Sequence, residues 1–325
     1  MTASSSGLPS RLPPGATLAD VGEFGLIGAL VDRFEQGPLV YVGPGDDAAV
    51  VRAPRGHVVV STDVLVESRH FRRDWAEAVD VGRRAAAANL SDVNAMGGTA
   101  TSLTVGLAAP GTLPVQWVLD LVDGIADEAA KVGASLVGGD LTQAGEVLVA
   151  VTVLGACEVA PVLRSGAQPG DVLAIAGRQG WAAAGLAVLA RGFRSPRALV
   201  EAYRRPEPPY AAGPAAAKAG ATAMIDVSDG LLADIGHIAA ASGVAADVSR
   251  GAFELAEPMR AVGAALGVDP MQFVLGGGDD HAIVATFPAG TTLPEPFHAI
   301  GSVAEGTGVT VDGGEYDGPT GHAHF

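Results

Sequence analysis

Hydrophobic and polar positions along this chain of 325 residues alternate in short strand-like runs and longer helical ones. The runs LVYV, AAVVRA and HVVVSTDVLV are rich in β-branched residues and predict strands near the N-terminus. In VQWVLDLVDGIADEAAKVG, apolar residues recur at 115, 118, 119, 122, 125 and 126, which is the period of a helix. Strand and helix patterns interchange along the rest of the chain, so the sequence predicts a mixed α/β protein.

Local signals predict where several elements begin and end. TLAD is typical of a capping box, with Thr17 as N-cap and Asp20 three residues on, and predicts a helix to about Phe34. AEAVDVGRRAAAANLSDVNAMGG predicts a helix closed by Gly97. ATAMIDVSDGLLADIGHIAAAS predicts strand, turn and helix, and QFVLGGGDDHAIVATF predicts strand, glycine turn and strand.

The expected domain organisation follows from length and from one Gly/Pro-rich turn. A chain this long favours two domains, and RSGAQPGD separates two stretches with a similar mix of elements. We expect a Ser/Pro/Gly-rich tail at 1–17, an N-terminal domain at 18–158 and a C-terminal domain at 159–325.

Composition argues against several classes of partner. The net charge is −16 and no basic patch is present, so no nucleic acid is expected as a partner. The single cysteine, Cys157, excludes an internal disulfide and favours a reducing compartment. The N-terminus lacks the apolar region of a signal peptide, and no run of 18 apolar residues occurs. We therefore expect a cytoplasmic protein without a membrane segment.

Aspartates gather where predicted strands end. One such aspartate is a common turn or capping residue, but several beside glycine favour a ligand site. Another, Asp92, lies in a predicted helix three residues after Asn89 and therefore on the same face. The strand-end aspartates are Asp46, Asp47, Asp63, Asp140, Asp226, Asp229, Asp279 and Asp280.

Converging carboxylates repel one another and require cations. Carboxylate oxygens suit Mg²⁺, Mn²⁺ or Ca²⁺, and Mg²⁺ is typically shared with water and substrate phosphates. The lack of a Cys/His cluster argues against zinc. In DVSDGLLADIGHI, Ser228 and Asp229 stand at a predicted helix start, where N–H groups either receive phosphate oxygens or are capped by these side chains. No P-loop occurs, nor a GxGxxG that opens a helix, so nucleotide charge would be met by metal and a few cations such as Arg164.

These motifs together resemble one family. GPGDDAAV, STDVLVESRHF, NLSDVNAMGG, LVGGD, LRSGAQPGD, DVSDGLLADIGHI and GGGDDHAI follow the order seen in thiamine-monophosphate kinases, of the aminoimidazole-ribotide-synthetase-like superfamily. The resemblance runs from about residue 19 to the C-terminus. It implies a two-domain α/β (α+β) fold, with an N-terminal mixed sheet that dimerises through its strands and a C-terminal α/β domain. It also implies phosphorylation of thiamine monophosphate by ATP with several Mg²⁺ ions; a monovalent cation is a further candidate.

The resemblance carries functional roles onto matching positions. It implies four catalytic aspartates: Asp47, Asp63, Asp92 and Asp229. Nucleotide contacts are implied for Gly139, Asp140, Arg164 and Ser228, and contacts to thiamine for His70, Asp279 and His322. The implied metal shell comprises Asp47, Ser61, Thr62, Asp63, Asp92, Asp140, Asp226 and Asp229.

This chain departs from the family pattern at the substrate end. The family usually has GGEDYEL where this chain has GGGDDHAI, so Asp279 replaces a Glu, His281 a Tyr and Ala282 a Glu. His322, in GHAHF, stands where the family has an aromatic residue that covers the substrate. Two alternatives stay open: another kinase or synthetase of the superfamily, such as aminoimidazole ribotide synthetase, and a regulatory protein that binds metal and nucleotide without turnover.

Overall fold

The computed structural model describes residues 15–31, 33, 35–42, 50–53 and 58–322. The helices are α1 (Leu18–Val31), α2 (Ala78–Ala95), α3 (Val115–Ala130), α4 (Trp181–Ala190), α5 (Arg197–Arg204), α6 (Ala212–Lys218), α7 (Leu231–Ser242), α8 (Glu257–Leu266) and α9 (Met271–Leu275). The strands are β1 (Val40–Val42), β2 (Val50–Val51), β3 (Val59–Val66), β4 (Gly98–Ala109), β5 (Ser135–Gln143), β6 (Leu148–Cys157), β7 (Val172–Ala176), β8 (Ala223–Asp226), β9 (Ala245–Val248), β10 (Ile283–Phe287), β11 (His298–Ala304) and β12 (Gly308–Val311).

Within the described residues, the strands form three sheets. β1 and β2 pair antiparallel. A four-stranded sheet has the order β3-β6-β4-β5, in which β4 and β5 are parallel. A six-stranded sheet has the order β12-β9-β11-β7-β10-β8; its pairs are antiparallel, except for the parallel pair of β12 and β9. These sheets, with helices between their strands, confirm the predicted mixed α/β class.

The contacts divide the chain into two compact units. The first contains the described residues within 1–56, 62–86 and 101–154, and the second those within 57–61, 87–100 and 155–325. Two short segments of the N-terminal half are thus counted with the second unit, so the division is not a single cut in the sequence. The domain boundaries given above stay predictions.

Strand β10 organises the core of the second unit. All five of its residues are buried, because successive side chains point to opposite faces of the sheet and each face is covered by an apolar cluster. Val284 packs in one cluster, and Ile283 and Phe287 in the other. The neighbouring strand β8 pairs Asp226 with Ile283 and ends there, so the first carboxylate of DVSD stands at the edge of this core.

Several predicted element ends are confirmed and two predictions are wrong. Asp20 accepts a hydrogen bond from the Thr17 N–H at 2.8 Å, as in a capping box, and Gly97 follows α2 with a φ of +76°. However, α1 ends at Val31, short of the predicted end. The segment QFVL, predicted as a strand, belongs to helix α9, since a short apolar run fits either element. Oδ1 of Asp269 accepts a hydrogen bond from the N–H of Met271, the first residue of this helix, at 2.9 Å.

No helix in the part of the chain that the structure describes is both long enough and apolar enough to cross a membrane.

Candidate active site

The DVSDG turn connects β8 to α7 and is built around a buried carboxylate. Oδ2 of Asp234, in the first turn of α7, accepts hydrogen bonds from the N–H groups of Ser228, Asp229 and Gly230 at 3.0, 3.1 and 3.0 Å. Gly230 is the N-cap, and no side chain caps the helix. The expectation that Ser228 or Asp229 caps the helix is therefore wrong. The N–H groups of Ser228, Asp229 and Gly230 are not open to phosphate, because Asp234 accepts hydrogen bonds from all three.

Three carboxylates interact electrostatically at this turn. Burial raises the pKa of Asp234 to about 7, and the negative charges of Asp226 and Asp229 raise it further, while hydrogen bonds from the turn oppose the shift. Asp226 and Asp234 are buried and Asp229 is half-buried. Carboxylates that lie close together repel one another, and their oxygens are suitable ligands for a hard divalent cation. The turn thus fits the Mg²⁺ implied by the resemblance.

A second group of possible metal ligands lies at the same turn. Ligand atoms of Asp229, Asp234 and His237 lie within 4.8 Å of one another. Because Oδ2 of Asp234 is engaged by three N–H groups, we regard Asp226 and Asp229 as the better metal ligands of this turn.

The GGGDDHAI segment lies against the DVSDG turn in the second unit. The N–H of Asp279 donates to the carbonyl of Ser228 at 3.0 Å, and the N–H of His281 donates to the carbonyl of Val227 at 3.2 Å. Asp279 and His281 have φ values of +67° and +53°, an uncommon conformation for residues with a side chain. The predicted substrate residue Asp279 is thus brought beside the predicted metal residue Asp229.

His281 contacts a predicted metal ligand. Its Nδ1 atom lies 3.1 Å from Oδ2 of Asp226, and both side chains are buried. In the sequence, His281 stood out only as a departure from the family pattern. The contact brings together residues 55 positions apart, so no local signal pointed to it.

The second aspartate of the GGGDD pair has a structural partner. Both carboxylate oxygens of Asp280 lie 3.1 Å from the N–H of Ala182, in the first turn of α4. Burial raises the pKa of Asp280 to about 7, although the Ala182 hydrogen bond and the charge of Arg178 oppose the shift. Asp280 therefore holds the start of α4.

Replacing Asp280 by Asn is expected to change the pH dependence of stability. Asp280 stays protonated in the folded protein up to about pH 7, but ionises near 3.8 when unfolded. The contribution of Asp280 to the free energy of unfolding therefore falls as pH rises between these values. The Asp280→Asn variant does not lose stability in this way, because Asn does not ionise. The stability difference in favour of Asp280→Asn should grow by on the order of a few kcal/mol between about pH 4 and pH 8, measured by urea unfolding. A difference that does not change with pH would contradict a protonated Asp280.

Strand β3 presents its predicted site residues on two different faces. Ser61 and Asp63 are half-buried on one face, whereas Thr62 is exposed on the other, where its Oγ1 atom lies 2.8 Å from Oγ1 of Thr152. Any contribution of Thr62 to a site on the Asp63 face would therefore come from its main chain. Ser61 donates a hydrogen bond to Oδ2 of Asp92 at 2.5 Å, which places Asp92 beside β3 as the resemblance implies.

Two aspartates expected at strand ends lie inside strands. β3 continues from Asp63 to Val66, and β5 continues from Asp140 to Gln143. A strand need not end at a carboxylate when that side chain is at least partly exposed, as both are. Position 139, also in β5, requires glycine for packing, because a Cβ there would lie 2.1 Å from the carbonyl oxygen of Val105.

The remaining predicted residues lie in turns and loops. Nδ1 of His70 accepts the Val66 N–H at 3.0 Å in the turn after β3. Arg164 is exposed, and its carbonyl accepts the Ser242 hydroxyl at 3.0 Å; the loop that follows it lines a surface pocket. The N–H of His322 donates to the carbonyl of Asp229 at 2.9 Å. Asp46 and Asp47 lie outside the described residues.

The role of Asp234 was not predicted from the sequence. The available signal was its position four residues after Gly230, in the first turn of a predicted helix, where a carboxylate reaches back to free N–H groups.

Comparison with known proteins extends over nearly the whole chain. The family "AIR synthase related protein, N-terminal domain" matches residues 45–157, and its C-terminal counterpart matches residues 168–289. The thiamine-monophosphate kinase of Mycobacterium tuberculosis (strain H37Rv) is 46% identical over 100% of this chain and 97% of its own length.

Two solved structures are similar in fold and sequence. Thiamine-monophosphate kinase from Stenotrophomonas maltophilia K279a has a TM-score of 0.79 and 32% identity, covering 89% of this chain and 95% of its own. The structure described as "AaThiL complexed with AMPPCP and TMP" has a TM-score of 0.77 and 30% identity, covering 96% of this chain and 100% of its own.

Proposed function

Because this chain belongs to the thiamine-monophosphate kinase family, we propose that it transfers the γ-phosphoryl group of ATP to thiamine monophosphate, giving thiamine diphosphate and ADP. The observation that carries the proposal is the 46% identity to a thiamine-monophosphate kinase across the full chain. The solved relative complexed with AMPPCP and TMP supports ATP and thiamine monophosphate as the substrates. A cytoplasmic location, where ATP is available, is part of the proposal.

The carboxylates of the chain are proposed to hold the metal ions of the reaction. Asp226 and Asp229 at the DVSDG turn would bind Mg²⁺ in the second unit, and Asp63, Asp92 and Asp140 are assigned to metal by family resemblance. When bound, Mg²⁺ would neutralise the phosphate oxygens of both anionic substrates and orient them. The buried contact with His281 fixes the direction of the Asp226 carboxylate.

We propose direct transfer, without a phosphorylated aspartate. A nucleophilic carboxylate needs one oxygen free and aligned with the γ-phosphorus. Asp226 and Asp229 are proposed to be committed to metal, and the buried carboxylates of Asp234 and Asp280 accept main-chain hydrogen bonds. Direct transfer requires the chain only to position two phosphates about 3 Å apart. We assign Asp279, on the turn that contacts Ser228, to the cationic thiamine moiety, together with His70 and His322.

The direct test is product analysis. Purified protein, ATP, Mg²⁺ and thiamine monophosphate should yield equal amounts of ADP and thiamine diphosphate, separated by chromatography. ADP formed with aminoimidazole-type precursors, but not with thiamine monophosphate, would favour another synthetase of the superfamily. Nucleotide binding without any ADP formation would favour the regulatory alternative.

We also propose that the protein is a homodimer joined through β3. This strand lies at one end of its sheet and carries Val60 and Val64, which are 64% and 42% exposed. Val58, just before the strand, is 44% exposed. An apolar sheet edge open to water promotes association unless another surface covers it. A second copy of the same edge is a self-complementary partner.

Replacing Val60 by Lys is expected to convert the dimer to a monomer, because it places a charge at the centre of the apolar edge. Light scattering after size exclusion should show the mass fall by half. Val159→Lys is the matched control, since Val159 is 43% exposed but lies outside β3. A wild-type monomer, or an unchanged Val60→Lys dimer, would contradict this interface.

A further inference from the structure

We infer that Asp234 is a positioning residue that fills an anion-binding turn with the protein's own carboxylate. The N–H groups of residues 228–230 are thereby closed to phosphate, and any phosphate bound beside them is held through a cation. The inference rests on the proposed function, since it assigns a role to the turn that carries two of the proposed metal ligands.

The turn has the geometry of an anion site. Three successive N–H groups point to one oxygen at 3.0 to 3.1 Å, at the start of a helix of 12 residues. Such groups of consecutive N–H donors commonly bind phosphate or other anions. Here the anion is internal, because Asp234 is only 2% exposed and is supplied by the helix itself.

The main chain of the turn is also held in place by neighbouring segments. Gly230 has a φ of +152°, and a Cβ at this position would lie 2.7 Å from Cα of Gly321 and 2.8 Å from the carbonyl oxygen of Gly276. The N–H of Ala233 donates to the carbonyl of Thr320 at 3.1 Å, which holds the C-terminal segment over the turn. Main-chain packing therefore fixes the conformation of Gly230 and, with it, the direction of the turn's N–H groups.

The charge balance then determines how phosphate binds here. The three N–H groups compensate Asp234, so they do not offset the charges of Asp226 and Asp229. The charges of Asp226 and Asp229 therefore repel a phosphate unless a cation intervenes. Asp234 thus makes phosphate binding at this turn conditional on metal, and it fixes the main chain on which Asp229 is carried.

The variant Asp234→Ala should separate these effects. Without the carboxylate, the turn's N–H groups are open, so inorganic pyrophosphate should bind in EDTA. Mn²⁺ binding should weaken about tenfold in at least one site, because the main chain of Asp229 loses its anchor. Asp234→Asn keeps an acceptor oxygen in the turn and should restore the exclusion of pyrophosphate.

Asp171→Ala is the matched control. Asp171 is also buried in the second unit, and its Oδ2 accepts the Gln168 N–H at 2.9 Å and the Thr222 hydroxyl at 2.6 Å. Its removal should lower stability similarly, but leave Mn²⁺ and pyrophosphate binding unchanged. A general structural defect would instead make the two alanine variants behave alike.

The experiment titrates each protein with Mn²⁺, followed by electron paramagnetic resonance, and with pyrophosphate in EDTA, followed by calorimetry. We expect Asp234→Ala to bind pyrophosphate in EDTA. The wild type and Asp171→Ala should not bind it under the same conditions. A folded Asp234→Ala that binds Mn²⁺ like the wild type and still excludes pyrophosphate overturns the inference. If Asp234→Ala does not fold, the wild-type protein provides the test. Pyrophosphate binding to the wild type in EDTA, with shifts of the amide resonances of residues 228–230, overturns the inference. Pyrophosphate binding that requires Mn²⁺ supports the inference. None of these measurements uses turnover, so a failure of the proposed kinase reaction is seen separately.

Discussion

Replacing Asp63 by Asn is expected to lower kcat by about two to three orders of magnitude while the protein stays folded. Asp63 is half-buried on the face of β3 that also carries Ser61, and the resemblance assigns it to the metal shell. Removing its charge weakens the stabilisation of the transferring phosphoryl group, which is a large part of catalysis in this reaction class. Steady-state kinetics at saturating ATP, thiamine monophosphate and Mg²⁺ measures the effect, and circular dichroism measures folding.

Asp74→Asn is the control for this variant. Asp74 lies in the same unit, its side chain is 58% exposed, and it pairs with Arg72 at the surface. Its replacement should leave kcat within about twofold, since exposed ion pairs contribute little. Near-normal activity in a folded Asp63→Asn protein would show that Asp63 is only a polar residue of the strand.

Removing divalent metal should abolish the stabilisation of the protein by an ATP analogue. The motifs carry many carboxylates and few cationic residues, and the N–H groups of the DVSDG turn are occupied by Asp234. At 100 times its dissociation constant, a ligand raises the free energy of unfolding by about 2.7 kcal/mol, which a thermal shift detects readily. With EDTA this shift should disappear. Equal shifts with and without EDTA would show that the chain binds the nucleotide phosphates without metal.

The sequence predicted the elements more reliably than the positions of the carboxylates within them. Period and capping signals located α2, α3 and most strands, because they depend on residues close in the chain. The segment QFVL was misassigned because four apolar or neutral residues fit a strand and a short helix equally well. Asp63 and Asp140 were placed at strand ends because Asp commonly marks turns, whereas side chains that face water at least in part are tolerated inside strands.

Long-range contacts at the site could not be predicted from one sequence. The pairing of His281 with Asp226 follows from the register of β10 against β8, which no local pattern specifies. The capture of three N–H groups by Asp234 depends on the conformation of Gly230, whose φ of +152° is set by tertiary packing. The residue types pointed to metal and phosphate chemistry, but their hydrogen-bond partners came from the fold.

The stereochemistry of the transferred phosphorus tests the central claim, direct transfer from ATP to thiamine monophosphate, most directly. The donor would be an ATP analogue made chiral at its γ-phosphorus with oxygen isotopes and sulfur. The configuration at phosphorus in the resulting thio analogue of thiamine diphosphate would be determined by phosphorus nuclear magnetic resonance. A single in-line displacement inverts the configuration, and inversion is the result we predict. A covalent aspartyl phosphate would require two displacements, so net retention, or labelled protein isolated after γ-labelled ATP without acceptor, would contradict the account.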